Sequence, residues 1–530
     1  MKNFYRLFLS VVFYCVKAAY PEPLQSQAHQ DGLPFIRNFT PGEYSYHDQN
    51  WAITQDLRGI MYFGNTNGVL EFDGFNWRRI QVSNRSVVRS LAVDSGGTIY
   101  VGAKAEFGLL APDSLGLLEY RSLTGYLDSS YRNFSDVWKI FVTDNGIFFQ
   151  TARYLFRWRG GVMKCWPAKT SFHTSFFVNN KLYVREPEIG LLVLNGDSLQ
   201  LVPDGGRFKD ERIYIMTAFD RERIMLGTRQ SGFYLYDEKT FLPFKLPADT
   251  LLGKAQVYDV TRTADGYFAL ATLQSGLVIM DTVGRISTVL DKSAGLQDNV
   301  IFAVYKDRSG NLWTALSKGI SRIHWPSPMT FFHGAHDLPG QIISMGMYDG
   351  KLYAGTFSGL FYWEAGRFKK VESIRGIVMD IVTVGDVLFA AGPDGLYELK
   401  RNAVRVFVKE NVLGISSSKH FSNRIYLGLK SGAGILKKEN NRWILTGHIP
   451  GINEEIRTIE ESDSHVWFTS IFEGTIRAPL DEDSLKTGAG LKRFGLAEGL
   501  PDLKDLGVIR DSMGVHFLTK KGLFTFDEVT

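Results

Sequence analysis

The sequence predicts an all-β chain of tandem β-propellers, one complete seven-bladed ring followed by a partial second propeller of about five blades. Three observations carry this: a short phrase written twelve times, a spacing of about 40 residues between copies, and scarce helical periodicity. Each copy is an apolar strand ending in a small residue, a polar turn, then Gly and a second apolar strand. Clear copies are IMYFGNTNGVLEFD at 60–73, LWTALSKGISRI at 312–323 and LYAGTFSGLFY at 352–362. The first strand of each copy centres on Tyr62, Tyr100, Phe148, Tyr183, Met225, Ala269, Trp313, Tyr353, Phe389, Tyr426, Trp467 and His516, so neighbours lie 35 to 49 residues apart.

Each part of the phrase has a physical reason. Alternating aromatic and branched residues suit a pleated, half-buried surface. A Gly precedes or opens the second strand in eleven copies, including Gly68, Gly108, Gly359 and Gly434, as a tight hairpin with positive φ requires. Upstream, Asp56–Gly59, Asp94–Gly97, Asp307–Gly310 and Asp511–Gly514 are turns that end a preceding strand, and a less regular outer strand completes four per blade.

From the N-terminus, Lys2 and Arg6 precede an apolar stretch from Leu7 to Val16, with Ala18 and Ala19 beyond it. Residues 1–19 read as a secretory signal peptide, and the expected location is the periplasm. After cleavage Cys165 is the one cysteine left, which excludes an intramolecular disulfide. No later segment approaches the ~20 apolar residues of a spanning helix. Residues 20–34 form a linker. The segment 35–44 resembles an outer strand placed ahead of its blade, and 328–332 is a similar piece after the seventh copy. The first seven-bladed propeller is therefore assigned to 35–327, closed by Phe35–Tyr44 on the blade of Trp313, and the partial second to 328–530.

The chain carries 60 basic and 56 acidic residues, a net charge of +4, with the basic residues dispersed, which argues against a nucleic-acid partner. No nucleophile elbow, phosphate loop or His-Glu-x-x-His is present. His333 and His336 read as connector, and Asp481–Asp483 as a solvated blade turn. Asp307–Trp313 resembles the Asp-box turn of sialidase propellers, a structural element. No catalytic residue, metal ligand or cofactor is assigned.

Binding is the function the loops can support. The loops entering each inner strand and those joining the next two strands share one propeller face. A ligand site built from Trp51, Glu106, Trp138, Arg153, Arg212, Arg229, Tyr258 and Lys318 would combine aromatic faces with charged hydrogen-bonding groups, as a sugar or other small extracellular ligand requires.

The runs YHDQNWAITQD at 46–56, GIMYFGNTNG at 59–68, EFDG at 71–74, VGAKAEFG at 101–108 and DRSGNLWTALSKGIS at 307–321 make the chain resemble the sensor region of Bacteroidetes-type two-component regulator propeller proteins. In that family two seven-bladed propellers are followed by a triple-tyrosine domain, a membrane helix and a kinase or DNA-binding output. The resemblance implies a periplasmic sensor region, without those output modules, that recognises a glycan-derived cue. The partners it implies are an oligosaccharide and, in assembly, a homodimer. A secreted propeller hydrolase or lyase and a non-catalytic protein-binding scaffold stay open as alternatives.

Overall fold

The computed structural model describes residues 32–327, 329–332, 337–364, 367–401, 403–511 and 514–526. Residues 1–19, read from sequence as a signal peptide, and His333 and His336 lie outside them. The chain divides into two compact units between Phe331 and Phe332. Eleven four-stranded antiparallel sheets and one three-stranded sheet, all built as meanders, account for the described strands.

Seven of the sheets make the first unit. Six are continuous in sequence, at 50–80, 88–122, 139–167, 174–201, 213–244 and 257–290. The seventh joins Ile301–Lys306, Leu312–Leu316 and Ile320–Ile323 to the N-terminal strand Ile36–Phe39. That strand pairs Ile36 with Ile323 and Phe39 with Ile320. Inner strands pack in cyclic order: Asn50–Gln55, Val88–Val93, Lys139–Thr143, Thr174–Val178, Ile213–Ala218, Val257–Arg262, Ile301–Lys306, and back to Asn50–Gln55.

Phe39 explains why closure holds. Its ring is 1% exposed, stacks on Trp313 at 5.6 Å, and meets Phe72 and Trp77 edge-on, within the apolar layer between the last and first blades. Polar links reinforce the seam: Asn50 Nδ2 donates to Gly319 O (3.0 Å) and Arg308 N to Gln55 Oε1 (2.9 Å).

The Asp turns and the strand aromatics are one device. Asp56 accepts from Arg58 N (2.9 Å) and Ile60 N (3.0 Å), and its other oxygen accepts from Tyr62 Oη (3.3 Å). Asp94 does the same with Gly96 N, Thr98 N and Tyr100 Oη. Asp307 accepts from Asn311 N and from Trp313 Nε1 (2.9 Å). A buried aromatic with a polar tip thus finds its partner in the turn that precedes its strand.

Two glycines differ from the expected pattern. In the tenth copy the turn residue is Gly432 (φ 119°), while Gly434 pairs inside its strand. In the second, Ala105 (φ 53°) makes the turn; Gly108 lies inside Glu106–Pro112, where a Cβ would run into Arg121 O. Asp481 is also more than a turn residue, since it caps the short helix Glu482–Thr487 by accepting from Ser484 N (2.8 Å).

The second unit holds four four-stranded sheets at 342–370, 380–408, 412–448 and 458–494, then the three-stranded sheet at 507–525. Inner strands again pack in order from Ile342–Tyr348 to Gly507–Asp511. Among the described residues, the last of these has no comparable packing on the first. The unpaired flanks are exposed: Met345 and Met347 on the first inner strand, and every residue of Gly522–Thr525 on the final one.

Inner strands of both units share a β-bulge near their start. Register shifts fall between Asn50 and Ala52, Val88 and Ser90, Ile213 and Ile215, Val257 and Asp259, and Ile301 and Ala303. Each inner strand is also an edge of its sheet, so its outward N–H groups need partners beyond the ladder. Asp259 supplies one by accepting from Val304 N of the next blade (3.0 Å). Asp380, on an inner strand of the second unit, likewise accepts from Ile415 N of the following blade (2.9 Å) and from its neighbour Ile381 N (2.8 Å).

Phe39→Ala is expected to destabilise the first unit by about 3–5 kcal/mol, through lost transfer energy and the void left beside Trp313. Denaturant unfolding read on tryptophan fluorescence checks it. Burial pushes the Asp380 carboxyl up to about 6, against 3.8 for a free Asp. Between those values the folded state holds the proton more tightly, so this group's contribution to stability falls as pH rises from about 4 to about 6. Asp380→Asn should remove that slope in thermal unfolding of the chain across pH.

Candidate ligand-binding site

The bulges aim one side chain per blade into the centre of the first unit. In five blades the extra residue is Trp51, Arg89, Tyr214, Tyr258 or Phe302. In the third and fourth, Trp138 N donates to Gln150 O and His173 N to Arg185 O (both 2.9 Å), although Lys139 and Thr174 already pair with those residues. Trp138 and His173 therefore occupy the same place.

These seven side chains touch in blade order around most of the circle. The Arg89 guanidinium lies 3.8 Å from the Trp51 ring and 4.9 Å from Trp138. Trp51 stacks on Phe302 (4.1 Å); Phe302 meets Tyr258 (5.9 Å), Tyr258 meets Tyr214 (5.8 Å), and Tyr214 meets His173 edge-on (5.6 Å). Together they line a cavity of about 670 Å³, within the range of small-ligand sites. Trp51, held between Arg89 and Phe302, has its faces covered. Among the described residues, the Trp138 ring has its contact with Arg89, and its indole lines the cavity.

The cavity is electropositive. Arg89, Lys139, Arg185, Lys209 and Arg212 line it against Glu188 and Asp210. Arg89 gives its Nε to Asp136 Oδ1 (2.9 Å), but its buried Nη1 has no hydrogen-bond partner among the described residues. Arg185 is buried and fixed by Phe208 O (3.1 Å) and Lys209 O (2.6 Å). Burial, with Arg185 and Arg212 nearby, pushes His173 down to about 4, so its ring is neutral at pH 7 and its buried Nδ1 is also unpartnered. Deeper in the channel, burial raises the Asp259 carboxyl above its ordinary value, opposed by Lys139.

Of the residues selected from sequence, Trp51, Trp138, Arg212 and Tyr258 come together in this cavity. Arg229 lines an adjoining cavity of about 260 Å³. Glu106 turns inward, accepting from Tyr120 Oη (3.0 Å), Ser122 Oγ (2.7 Å) and Phe107 N (3.0 Å), which gives it a structural role in its own blade. Arg153 and Lys318 are exposed on their hairpins and line neither cavity. Arg89, Lys139, Arg185 and Phe302 were not selected. A signal for two of them existed: each bulged residue lies ten or eleven positions before its copy's strand centre, which would have found Arg89 and Phe302. Cys165 offers no nucleophile, since burial pushes its thiol up to about 12. Among the described residues no group of His, Cys, Asp and Glu could hold a metal ion, and no helix is long and apolar enough to cross a membrane.

No family model matches the sequence, and no curated protein does. Solved structures do. The chain is similar to the extracellular domain of the hybrid two-component system BT3049 from B. thetaiotaomicron, with a TM-score of 0.65 and 18% identity over 93% of this chain and 71% of that one. The extracellular domain of the one-component system BT4673 from the same organism matches with a TM-score of 0.45 and 13% identity, over 92% and 65%. At such identities the likeness is one of fold alone.

His173 makes a testable contribution to pH dependence. Its folded pKa is depressed from 6.5 to about 4, so in that window the unfolded chain binds the extra proton, and stability falls as pH drops from about 6.5 to about 4. The difference between the wild type and His173→Gln, measured by thermal unfolding, should grow from low pH upward and level off above about 6.5.

Proposed function

We propose that this chain is the periplasmic ligand-sensing propeller region of a two-component-type signalling protein, and that it binds a glycan-derived cue without chemically altering it. The observation that carries this reading is the set of seven bulged side chains, one per blade, converging on a cavity of about 670 Å³. The indole of Trp138, the neutral His173 ring and the guanidinium of Arg89, all lining the cavity, would supply what a sugar needs: a surface for its apolar face, and paired donors and acceptors for its hydroxyls. The fold likeness to an extracellular domain of a two-component system supports the sensing role. Binding would signal by favouring one of two arrangements of the chain over the other.

Calorimetry of the mature chain against a panel of oligosaccharides tests the reading. A ligand is expected whose affinity drops about tenfold or more, ~1.4 kcal/mol, in Trp138→Ala while the thermal midpoint holds. Turnover of that ligand would replace the sensor with a hydrolase or lyase. Silence across neutral and acidic saccharides alike would leave a protein-binding scaffold.

A further inference from the structure

The larger cavity does not end at its own rim. Tyr214 lines both it and the adjoining cavity of about 260 Å³, and the backbones of Arg212, in the first, and Arg229, in the second, are joined by Arg229 N donating to Arg212 O (2.9 Å). The two compartments thus meet at two paired segments, Glu211–Arg212 and Arg229–Ser231. Their pairing is pinned: the Glu211 carboxylate accepts from Arg229 N and Gln230 N (both 3.1 Å) and from Ser231 Oγ (2.9 Å). The smaller compartment has an apolar floor that includes Phe233 and Leu252 and amide donors in Gln230 and Gln256. Its lining holds one carboxylate, Asp249, which accepts from Leu246 N (2.9 Å), and one cation, Arg229.

Resting on the saccharide reading of the first compartment, we infer that the ligand is a linear, anionic oligosaccharide that spans both compartments, with acidic groups met by Arg212 on one side of the divide and Arg229 on the other. Three observations point this way. Cationic side chains outnumber carboxylates in the larger cavity, and Arg229 is the one cation lining the smaller. The buried Nη1 of Arg89 lacks a partner, a state that costs free energy until an acceptor arrives. The divide carries an arginine on each flank, and guanidinium groups pair with carboxylate or sulfate in a two-point geometry that lysine does not offer. A neutral monosaccharide would leave the second compartment and both arginines unused.

The test is calorimetry of the full mature chain with oligogalacturonides of one to four residues, sulfated chondroitin oligosaccharides, and malto-oligosaccharides as neutral comparators. In one anionic series, affinity is expected to rise about tenfold or more from the shortest member to the longest. Arg229→Ala should weaken the longest member about tenfold while changing the shortest less than about twofold; Arg212→Ala should weaken both, and Arg229→Lys should recover only part of the loss. Thermal midpoints of the variants guard against misfolding. Equal weakening of short and long ligands by Arg229→Ala overturns the two-compartment inference. Neutral oligosaccharides binding at Trp138 as tightly as acidic ones, or in their place, overturns the anionic inference and leaves the glycan reading standing. Failure of every saccharide, acidic and neutral, overturns both.

Discussion

A single irregularity, the bulge near the start of each inner strand, governs what the first unit can do. Two residues there oppose one on the neighbouring strand, so the extra side chain leaves the pleat and points into the channel. Repeated in seven blades, it delivers Trp51, Arg89, Trp138, His173, Tyr214, Tyr258 and Phe302 to one place. The same distortion puts backbone N–H groups at risk of burial without a partner, at about 1–3 kcal/mol each. Beside one of these bulges, Asp259 reaches across to Val304 N and ties one blade to the next. The site therefore depends on ring closure: without Ile36–Phe39 on the seventh blade, the strand bearing Phe302 would lose its seat against the strand bearing Trp51.

Burial then sets the electrostatics. It holds His173 neutral and favours the neutral form of Asp259, while the arginines, whose charge burial cannot remove at neutral pH, keep theirs. The channel centre thus sets a neutral imidazole, His173, among fixed positive charges. That is an arrangement for attracting and orienting an anion. It is poorly suited to moving protons, because the carboxylates at the cavity, Glu188 and Asp210, are exposed rather than held against a nucleophile or a base.

The blades were legible in the sequence because hairpin glycines, Asp turns and alternating strands are local features, and each leaves its mark within a dozen residues. Closure by the N-terminal strand was legible too, since Phe35–Tyr44 has the pattern of an outer strand with no blade before it. The site was legible only in part. Trp51, Trp138, Arg212 and Tyr258 were found because they sit near strand entries and carry the right chemistry. Glu106, Arg153 and Lys318 have that chemistry as well, but they sit on the hairpins beyond the second strands, and Glu106 is turned by partners such as Tyr120, which spacing within one hairpin does not reveal. Arg89 and Phe302 lie inside strands that read as ordinary core, and an inserted residue changes their direction without changing their composition.

The second unit shows that the bulge alone does not make a site. Four of its five inner strands carry the same irregularity: register shifts around Ile343 and Leu413, and Met379 N and Arg457 N donating to Ala391 O and Thr469 O, which already pair with the next residue along. The side chains so delivered are Ile343, Met379, Leu413 and Arg457, three of them aliphatic or thioether. They can fill a channel, but they offer neither a stacking face nor more than one charge. Backbone geometry is thus common to the repeats, and the division of labour between the units is written in the identity of one residue per blade, which is where sequence change can alter ligand choice without disturbing the ladder that holds the blade together.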